Sequence, residues 1–315
     1  PGEVLVEVAA AGVCAGDMYF YLGKNPYATY PQVCGHEIAG TVIGTGEGTV
    51  GPPLGTAVVV EPFIGCGSCY PCRIGRSNCC TSLQIIGVHR PGGFARYLAA
   101  PAASIHWIPP GLALAAASFA EPVAIAIHAC RRGVVTADEN VLVLGCGPIG
   151  LALIEVARAR GARVLATDLV PSRLEAAARF GAEVLPGGEM LIDDVLDRTR
   201  GEGAHVVMEA TGNQKAMEET PFLVAAAGRI VIVGLVKEGV GVTFPGLDYT
   251  RKEMTVLGSR ASVDCFPEAL DLLANGSIKS PQIASRFAMW DAPGVFAQLA
   301  EDTGGVHKAI LVLEM

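Results

Sequence analysis

A chain of 315 residues is long enough for one large domain or for two, each with its own core. Charged residues make up 17% and hydrophobic ones 51%, so apolar surface is plentiful, and the net charge of −8 is modestly acidic. No lysine- or arginine-rich block occurs, which disfavours nucleic acid and anionic membranes as partners.

The chain opens "PGEVLVEV", without methionine and already in strand texture, so a segment ahead of Pro1 is expected. Up to about residue 120, short β-like runs alternate with Gly and Pro: "VLVEV", "EIAGTVIG", "AVVVEPF" and "FARYLAAP". That texture predicts a compact β-rich domain with long functional loops. The run "GLALAAASFAEPVAIAIHAC" (111–130) is apolar, but Glu121, Pro122 and His128 interrupt it. It reads as buried helix and not as a membrane span.

From Val123 the pattern changes. "NVLVLG" reads as a buried strand, "PIGLALIEVARARG" as helix and "RVLATD" as strand; "SRLEAAARFG" is helix, "HVVMEAT" strand, "AMEETPFLVAAAG" helix and "RIVIVGL" strand. Strand–helix alternation at this spacing predicts an α/β fold with a doubly wound parallel sheet. After Ser262 a helix, "FPEALDLLANG", and a strand, "KAILVLE", break the alternation. They are expected to return to the first domain, giving limits of 1–122, 123–262 and 263–315.

Within the alternation, "GCGPIG" (Gly145, Gly147, Pro148, Ile149, Gly150) follows a strand and opens a helix, and Asp168 closes the next strand. The glycines allow a tight turn, close approach of a pyrophosphate and tight helix–strand packing, with the phosphates at the helix N-terminus. Asp168 can accept hydrogen bonds from ribose hydroxyls and would repel a 2′-phosphate, so NAD is expected rather than NADP. Arg173 is placed beside the adenosine ribose or in solvent. Thr211, Gly212 and Gly234 end successive strands, where the nicotinamide half should lie.

Ten cysteines are too sparse for a disulfide scaffold, yet Cys66, Cys69, Cys72 and Cys80 crowd together as C-x2-C-x2-C-x7-C. Four thiolates at this spacing can enclose a tetrahedral zinc with no position left for substrate, so the expected role is to staple a loop. Cys79 rivals Cys80 for the fourth place, and two strained disulfides are the alternative. Metal ligation points to a reducing compartment such as the cytoplasm.

A second constellation is mixed. Cys14 lies in "GVCAGDMYF", and His36 with Glu37 in "CGHEIAG". A thiolate, an imidazole and a carboxylate can hold zinc and leave a position open. Asp17 would orient His36. Spacing alone leaves open a plainer reading, in which the polar pair edges a strand that starts at Ile38.

"GVCAGD", "GHEIAGTV", the four-cysteine loop, "GGFARYLAAPA", "EPVAIAIHA" and "GCGPIG" occur in the order seen in zinc-containing medium-chain dehydrogenases/reductases, which this chain resembles over nearly its whole length. The detail is closest to the polyol branch and to sugar-acid dehydrogenases. The resemblance implies a Rossmann domain inserted into a GroES-like catalytic domain. It also implies a catalytic zinc at Cys14, His36 and Glu37 with Glu121 near the metal, a second, structural zinc, and a homo-oligomer (dimer or tetramer). The implied reaction takes hydride from a secondary hydroxyl of a polyol, sugar or sugar acid to NAD, giving a ketone.

Two positions depart from that family. The usual Ser or Thr before the aspartate is Gly16, and a common histidine two residues after it is Tyr19, so the usual proton relay is absent. Arg260, in "GSR" after Ser259, resembles an arginine that reaches the substrate pocket; an interface role is the alternative. His89 and Arg90, just before "PGGF", are expected to serve their loop, with an approach to substrate as the alternative. The rival functions are an L-threonine dehydrogenase-like oxidation of an amino alcohol and a nucleotide-binding sensor without turnover.

Overall fold

The computed structural model describes residues 1–25, 29–301 and 305–313. The chain divides into two compact units: Pro1–Ala124 with Ala261–Gly276 and Pro281–Met315, and Ile125–Arg260 with Ser277–Ser280. Seven strands come first, β1 (Glu3–Gly12), β2 (Glu37–Thr45), β3 (Ala57–Val60), β4 (Phe63–Ile64), β5 (Gln84–Ile85), β6 (Tyr97–Pro101) and β7 (Ile105–Trp107). Six more follow, β8 (Asn140–Leu144), β9 (Arg163–Asp168), β10 (Glu183–Pro186), β11 (Ala204–Glu209), β12 (Val224–Ile232) and β13 (Thr255–Gly258). The last two are β14 (Ser285–Ala288) and β15 (Ala309–Val312).

In the first unit the sheet runs β14-β15-β1-β2-β3-β7, with β6 also paired to β1. β1 has the two-residue period of a half-buried strand: Val4, Val6 and Val8 are buried, and they pack with Ile38, Val42, Val58, Leu98 and Leu311. Its antiparallel register sets Gly12 opposite Glu37 on β2 and opposite Ile310 on β15. Three strand ends therefore meet at Gly12, just before Cys14. The late strand "KAILVLE" thus returns to the first sheet.

The second unit is an open sheet of order β10-β9-β8-β11-β12-β13, parallel at every pairing. Val141 to Leu144 of β8 are all buried, as expected of a strand covered by helices on both faces. Strand order reverses between β8 and β11, the point where such sheets open a ligand crevice at their carboxyl ends.

Two local expectations are corrected. "VAAAG" (224–228) belongs to β12 and not to the preceding helix, Gln214–Leu223, which stops at Leu223. Lys252 Nζ donates to the carbonyls of Pro221 and Val224, and β11 pairs with Val224 and again from Arg229 onward, so 225–228 form a bulge in which Ala227 has φ 57° and donates its N–H to the Lys252 carbonyl at 2.6 Å. The run 111–130 forms two helices, Leu114–Ala117 and Ala120–Arg132. Pro122 sits in the first turn of the second, where its missing N–H costs no helical bond. No helix among the described residues is long and apolar enough to cross a membrane.

Candidate zinc centres and nucleotide site

Cys14 caps the helix Ala15–Tyr21, and Asp17 in the first turn closes a capping box by accepting from the Cys14 N–H at 2.9 Å. The other Asp17 oxygen accepts from the Gly35 N–H at 3.1 Å. One buried carboxylate thus holds together the two segments that carry Cys14 and His36. Asp17 Oδ1 also stands 3.6 Å from His36 Nδ1. Burial alone would raise the Asp17 carboxyl, but His36 and the two N–H groups keep it below the ordinary carboxylate value. Burial likewise opposes a charged His36; Asp17 and the Cys14 sulfur outweigh it and hold the imidazole well above an ordinary histidine.

Sulfur, imidazole and carboxylate ligand atoms of Cys14, His36 and Glu37 all lie within 4.8 Å of one another. Among the described residues, buried Glu37 Oε2 has no hydrogen-bond partner and His36 Nδ1 has only Asp17 at 3.6 Å; an unpaired buried carboxylate oxygen costs free energy that a cation would relieve. The donor set fits zinc, with room for a fourth ligand. Glu121, in the first turn of Ala120–Arg132, is not part of that three-residue set. Burial pushes its carboxyl up to about 7, with His36 opposing and Glu37 adding to the shift.

Lys308 was not anticipated from the sequence. It is buried immediately before β15; its Nζ donates to the Val13 carbonyl at 2.9 Å and forms an ion pair with Glu37 Oε1. Burial works against the ammonium, but Glu37 and Cys14 outweigh it and raise Lys308 above an ordinary lysine. The only local signal is a cation at the edge of the apolar run "KAILVLE".

A Cβ built on Gly16 meets nothing nearer than His36 Cε1 at 3.8 Å and Cys14 Sγ at 4.0 Å. Space for a side chain or a water therefore exists where the relay hydroxyl is missing. Tyr19 is half-exposed. His89 Nδ1 accepts from the Ile85 N–H at 3.1 Å, and Arg90 pairs with Glu3, so both serve their loop.

In the second cluster, Cys66, Cys69, Cys72 and Cys80 come together, and Cys80, not Cys79, closes the set. The Cys69–Cys72 and Cys69–Cys80 sulfurs are 3.4 and 3.7 Å apart. Tetrahedral Zn–S bonds of about 2.3 Å would put sulfurs about 3.8 Å apart, whereas a disulfide needs about 2 Å. N–H groups of Cys66 and Ser82 point at Cys80 Sγ at 3.2 and 3.3 Å, as suits a thiolate.

Gly145 follows β8 with φ 92°, a left-handed conformation that favours glycine. A Cβ on Gly150 would stand 1.8 Å from the Gly145 carbonyl oxygen, so helix and strand meet there only without a side chain. Nothing lies within 4 Å of a Cβ on Gly147, the N-cap of Pro148–Ala159, which is the open approach a pyrophosphate requires. Asp168 ends β9; its Oδ2 accepts from the Cys146 N–H at 2.7 Å and its Oδ1 from Val170 at 2.9 Å. The aspartate therefore braces the glycine turn as well as lying near it. Arg173 NH1 is 3.8 Å from Asp168 Oδ2.

Glu209 is a second residue missed from the sequence. Fully buried at the end of β11, its Oε1 accepts from the N–H groups of Thr211 and Gly212 at 2.7 and 3.0 Å and from the Thr211 hydroxyl. A Cβ on Gly234 would stand 2.2 Å from Gly212 N, so these strand ends are in contact. Ser259, just beyond β13, donates its N–H to Ile232 at 2.8 Å, and its buried hydroxyl has no hydrogen-bond partner among the described residues. Arg260 follows, exposed.

Residues 1–110 match the alcohol dehydrogenase GroES-like domain, and 148–275 match a zinc-binding dehydrogenase domain. The chain is 39% identical over 280 residues to L-galactonate-5-dehydrogenase of Escherichia coli strain K12, covering 88% of this chain and 81% of that protein. An Escherichia coli CFT073 alcohol dehydrogenase (rspB) solved with NADH superposes with a TM-score of 0.92 at 32% identity, over 99% of this chain and 92% of that one. A Sinorhizobium meliloti 1021 structure described as a zinc-binding dehydrogenase, bound to NADP, gives 0.93 at 30% identity over the same shares. The match of both domain models, with relatives aligned along most of the chain, makes this protein a member of the zinc-containing medium-chain alcohol dehydrogenases, oxidoreductases that act on a hydroxyl group.

Proposed function

We propose that the protein oxidises a secondary hydroxyl of a polyol, sugar or sugar acid to a ketone, with NAD taking the hydride and one proton released. The observation that carries the reading is the convergence of Cys14, His36 and Glu37 donor atoms within 4.8 Å. The likeness to L-galactonate-5-dehydrogenase supports the substrate class. Zinc held there would supply Lewis acidity, lowering the pKa of the hydroxyl presented to it.

The chain's own residues do the rest. Asp17 locks the Cys14 and His36 segments in register. Glu121, with its carboxyl raised to about 7, is suited to take the hydroxyl proton near neutrality, and the space beside Gly16 would admit a water to carry it. Gly145, Gly147 and Gly150 receive the pyrophosphate, Asp168 faces the adenosine ribose and selects NAD over NADP, and Glu209 holds the Thr211–Gly212 turn for the nicotinamide half. Arg260 is assigned to the polar substrate.

The four-cysteine loop would hold a second zinc that is structural, giving two per chain. A catalytic unit built on residues 1–122 and 263–315 around a nucleotide unit at 123–262, a homodimer or homotetramer, and a cytoplasmic setting complete the reading. Polyols, aldonates and amino alcohols offered with NAD, with NADH absorbance followed, test it. Turnover of a polyol or aldonate supports the proposal. Preference for an amino alcohol would move the assignment to threonine-type oxidation, and nucleotide binding without turnover of any of them would leave a sensor.

A further inference from the structure

A lysine is rarely sealed inside a protein, and Lys308 is only 5% exposed. Its place is dictated by the sheet. β15 pairs with the end of β1, and the Val13 N–H donates to the Ala309 carbonyl at 2.9 Å, so residue 308 is delivered to the segment that leads into Cys14. There Nζ bridges two points, the Val13 carbonyl at 2.9 Å and Glu37 Oε1. Across the strand pair, Glu37 Oε2 lies over Gly12, where a Cβ would stand 1.9 Å away. The carboxylate is thus held by a cation on Oε1, while Oε2 occupies the space left by the missing Gly12 side chain and has no hydrogen-bond partner among the described residues.

We propose that Lys308 is a positioning residue that keeps Glu37 Oε1 from the metal, so that Glu37 offers one oxygen and a coordination position stays open for the substrate hydroxyl. The inference rests on the assignment of Cys14, His36 and Glu37 as metal ligands. A carboxylate able to use both oxygens would, with one sulfur and one nitrogen, make four donors and close the site as a structural zinc is closed. An ammonium ion-paired with Oε1 prevents that. The same buried charge repels a divalent cation in surroundings where solvent screens it poorly, so it weakens metal retention while keeping the site open. A lysine that merely neutralised Glu37 for folding would leave metal coordination untouched when replaced.

The test uses the full-length zinc protein and its Lys308→Met, Lys308→Arg and Cys14→Ser variants. Transfer of zinc to a chromogenic chelator is timed, and the zinc lost from Cys14→Ser identifies the release phase of this site. In Lys308→Met that phase should slow by about tenfold, the scale on which outer partners of a metal ligand act. Cobalt absorption that depends on Cys14 should weaken as the coordination number rises. Lys308→Arg, which keeps a cation, should behave as wild type in both measurements. An unchanged or faster release from Lys308→Met, with unchanged cobalt bands, overturns the proposal. If Lys308→Met does not fold, Lys308→Gln, which keeps a donor for the Val13 carbonyl but loses the charge, is read against the same outcomes. A wild-type protein with no Cys14-dependent metal overturns the ligand assignment and this inference together. A wild-type protein that holds it, with an unaltered Lys308→Met, overturns the inference alone.

Discussion

Gly12 and Glu37 face each other across β1 and β2, and the glycine's missing side chain is the space that the Glu37 carboxylate occupies. A methyl group at Gly12 would overlap Oε2 at 1.9 Å, and Lys308 on the other oxygen blocks an easy retreat. Gly12→Ala should therefore lower stability by about 1–3 kcal/mol, the usual cost of overpacking, and reduce the zinc content of the purified protein. Gly16 is the contrast, since its added Cβ makes only ordinary contacts at 3.8 and 4.0 Å. Gly16→Ser should fold with an unchanged melting temperature and change kcat only mildly. Equal losses in both variants would show that the two glycines are not distinguished by the contacts described.

Two ligand sets predict two zinc ions per chain, released at different rates. Chelation should first remove the metal from the Cys14–His36–Glu37 site together with activity, and only later that of the four-cysteine loop. Cys69→Ser should cut soluble yield and melting temperature, with little change in the kcat of whatever remains folded. Metal analysis of fresh protein giving one zinc or none sinks the stoichiometry.

The proposed reading gives Asp168 two roles that a substitution will separate. If the aspartate at the end of β9 selects for a free 2′-hydroxyl, Asp168→Ser should narrow the preference for NAD over NADP, mainly through the cofactor KM. Its bond to the Cys146 N–H at 2.7 Å means that the variant should also bind either cofactor less firmly, because the glycine turn loses its brace. A wild-type enzyme that prefers NADP would refute this role for the aspartate.

Glu121 is raised by burial from 4.5 to about 7. Only its ionised form can accept a proton, so kcat should rise with pH through about neutrality and level off above it. The sign for stability is the reverse. A carboxyl whose folded value lies above its unfolded one favours the fold at low pH, and that contribution is lost as pH rises from about 4.5 to about 7. Glu121→Gln should lower kcat at least about tenfold and remove the inflection. Full activity in Glu121→Gln, with zinc still bound, would leave Tyr19→Phe as the next variant to measure.

Much of this protein is decided locally and is therefore legible in its residues. The alternation from "NVLVLG" onward follows from apolar runs too short for anything but buried strands, separated by helical periods. "GCGPIG" needs its glycines because backbone sterics leave no alternative. Five cysteines within fifteen residues cannot avoid one another, so a cluster was visible before any fold, although the choice of Cys80 over Cys79 was not. The sequence order of Cys14, His36 and Glu37 suggested a metal site through family resemblance, while spacing alone left a strand edge equally open.

Other features depend on which strands become neighbours, and no local pattern carries that information. "VAAAG" has helical residues but became a bulge at the start of β12, because pairing with β11 on either side of it, at Val224 and from Arg229 onward, outweighs propensities of a few tenths of a kcal/mol per residue. Asp17 was expected to orient His36, but its grip on the Gly35 N–H exists only once its helix meets the segment ahead of β2. Glu209 looked like the polar end of a strand until the fold wrapped Thr211 and Gly212 around it. Lys308 is the extreme case, since 271 residues separate it from Glu37. Its partner is chosen by β15 closing on β1, and a contact at that chain separation is a property of the sheet and not of any stretch of sequence.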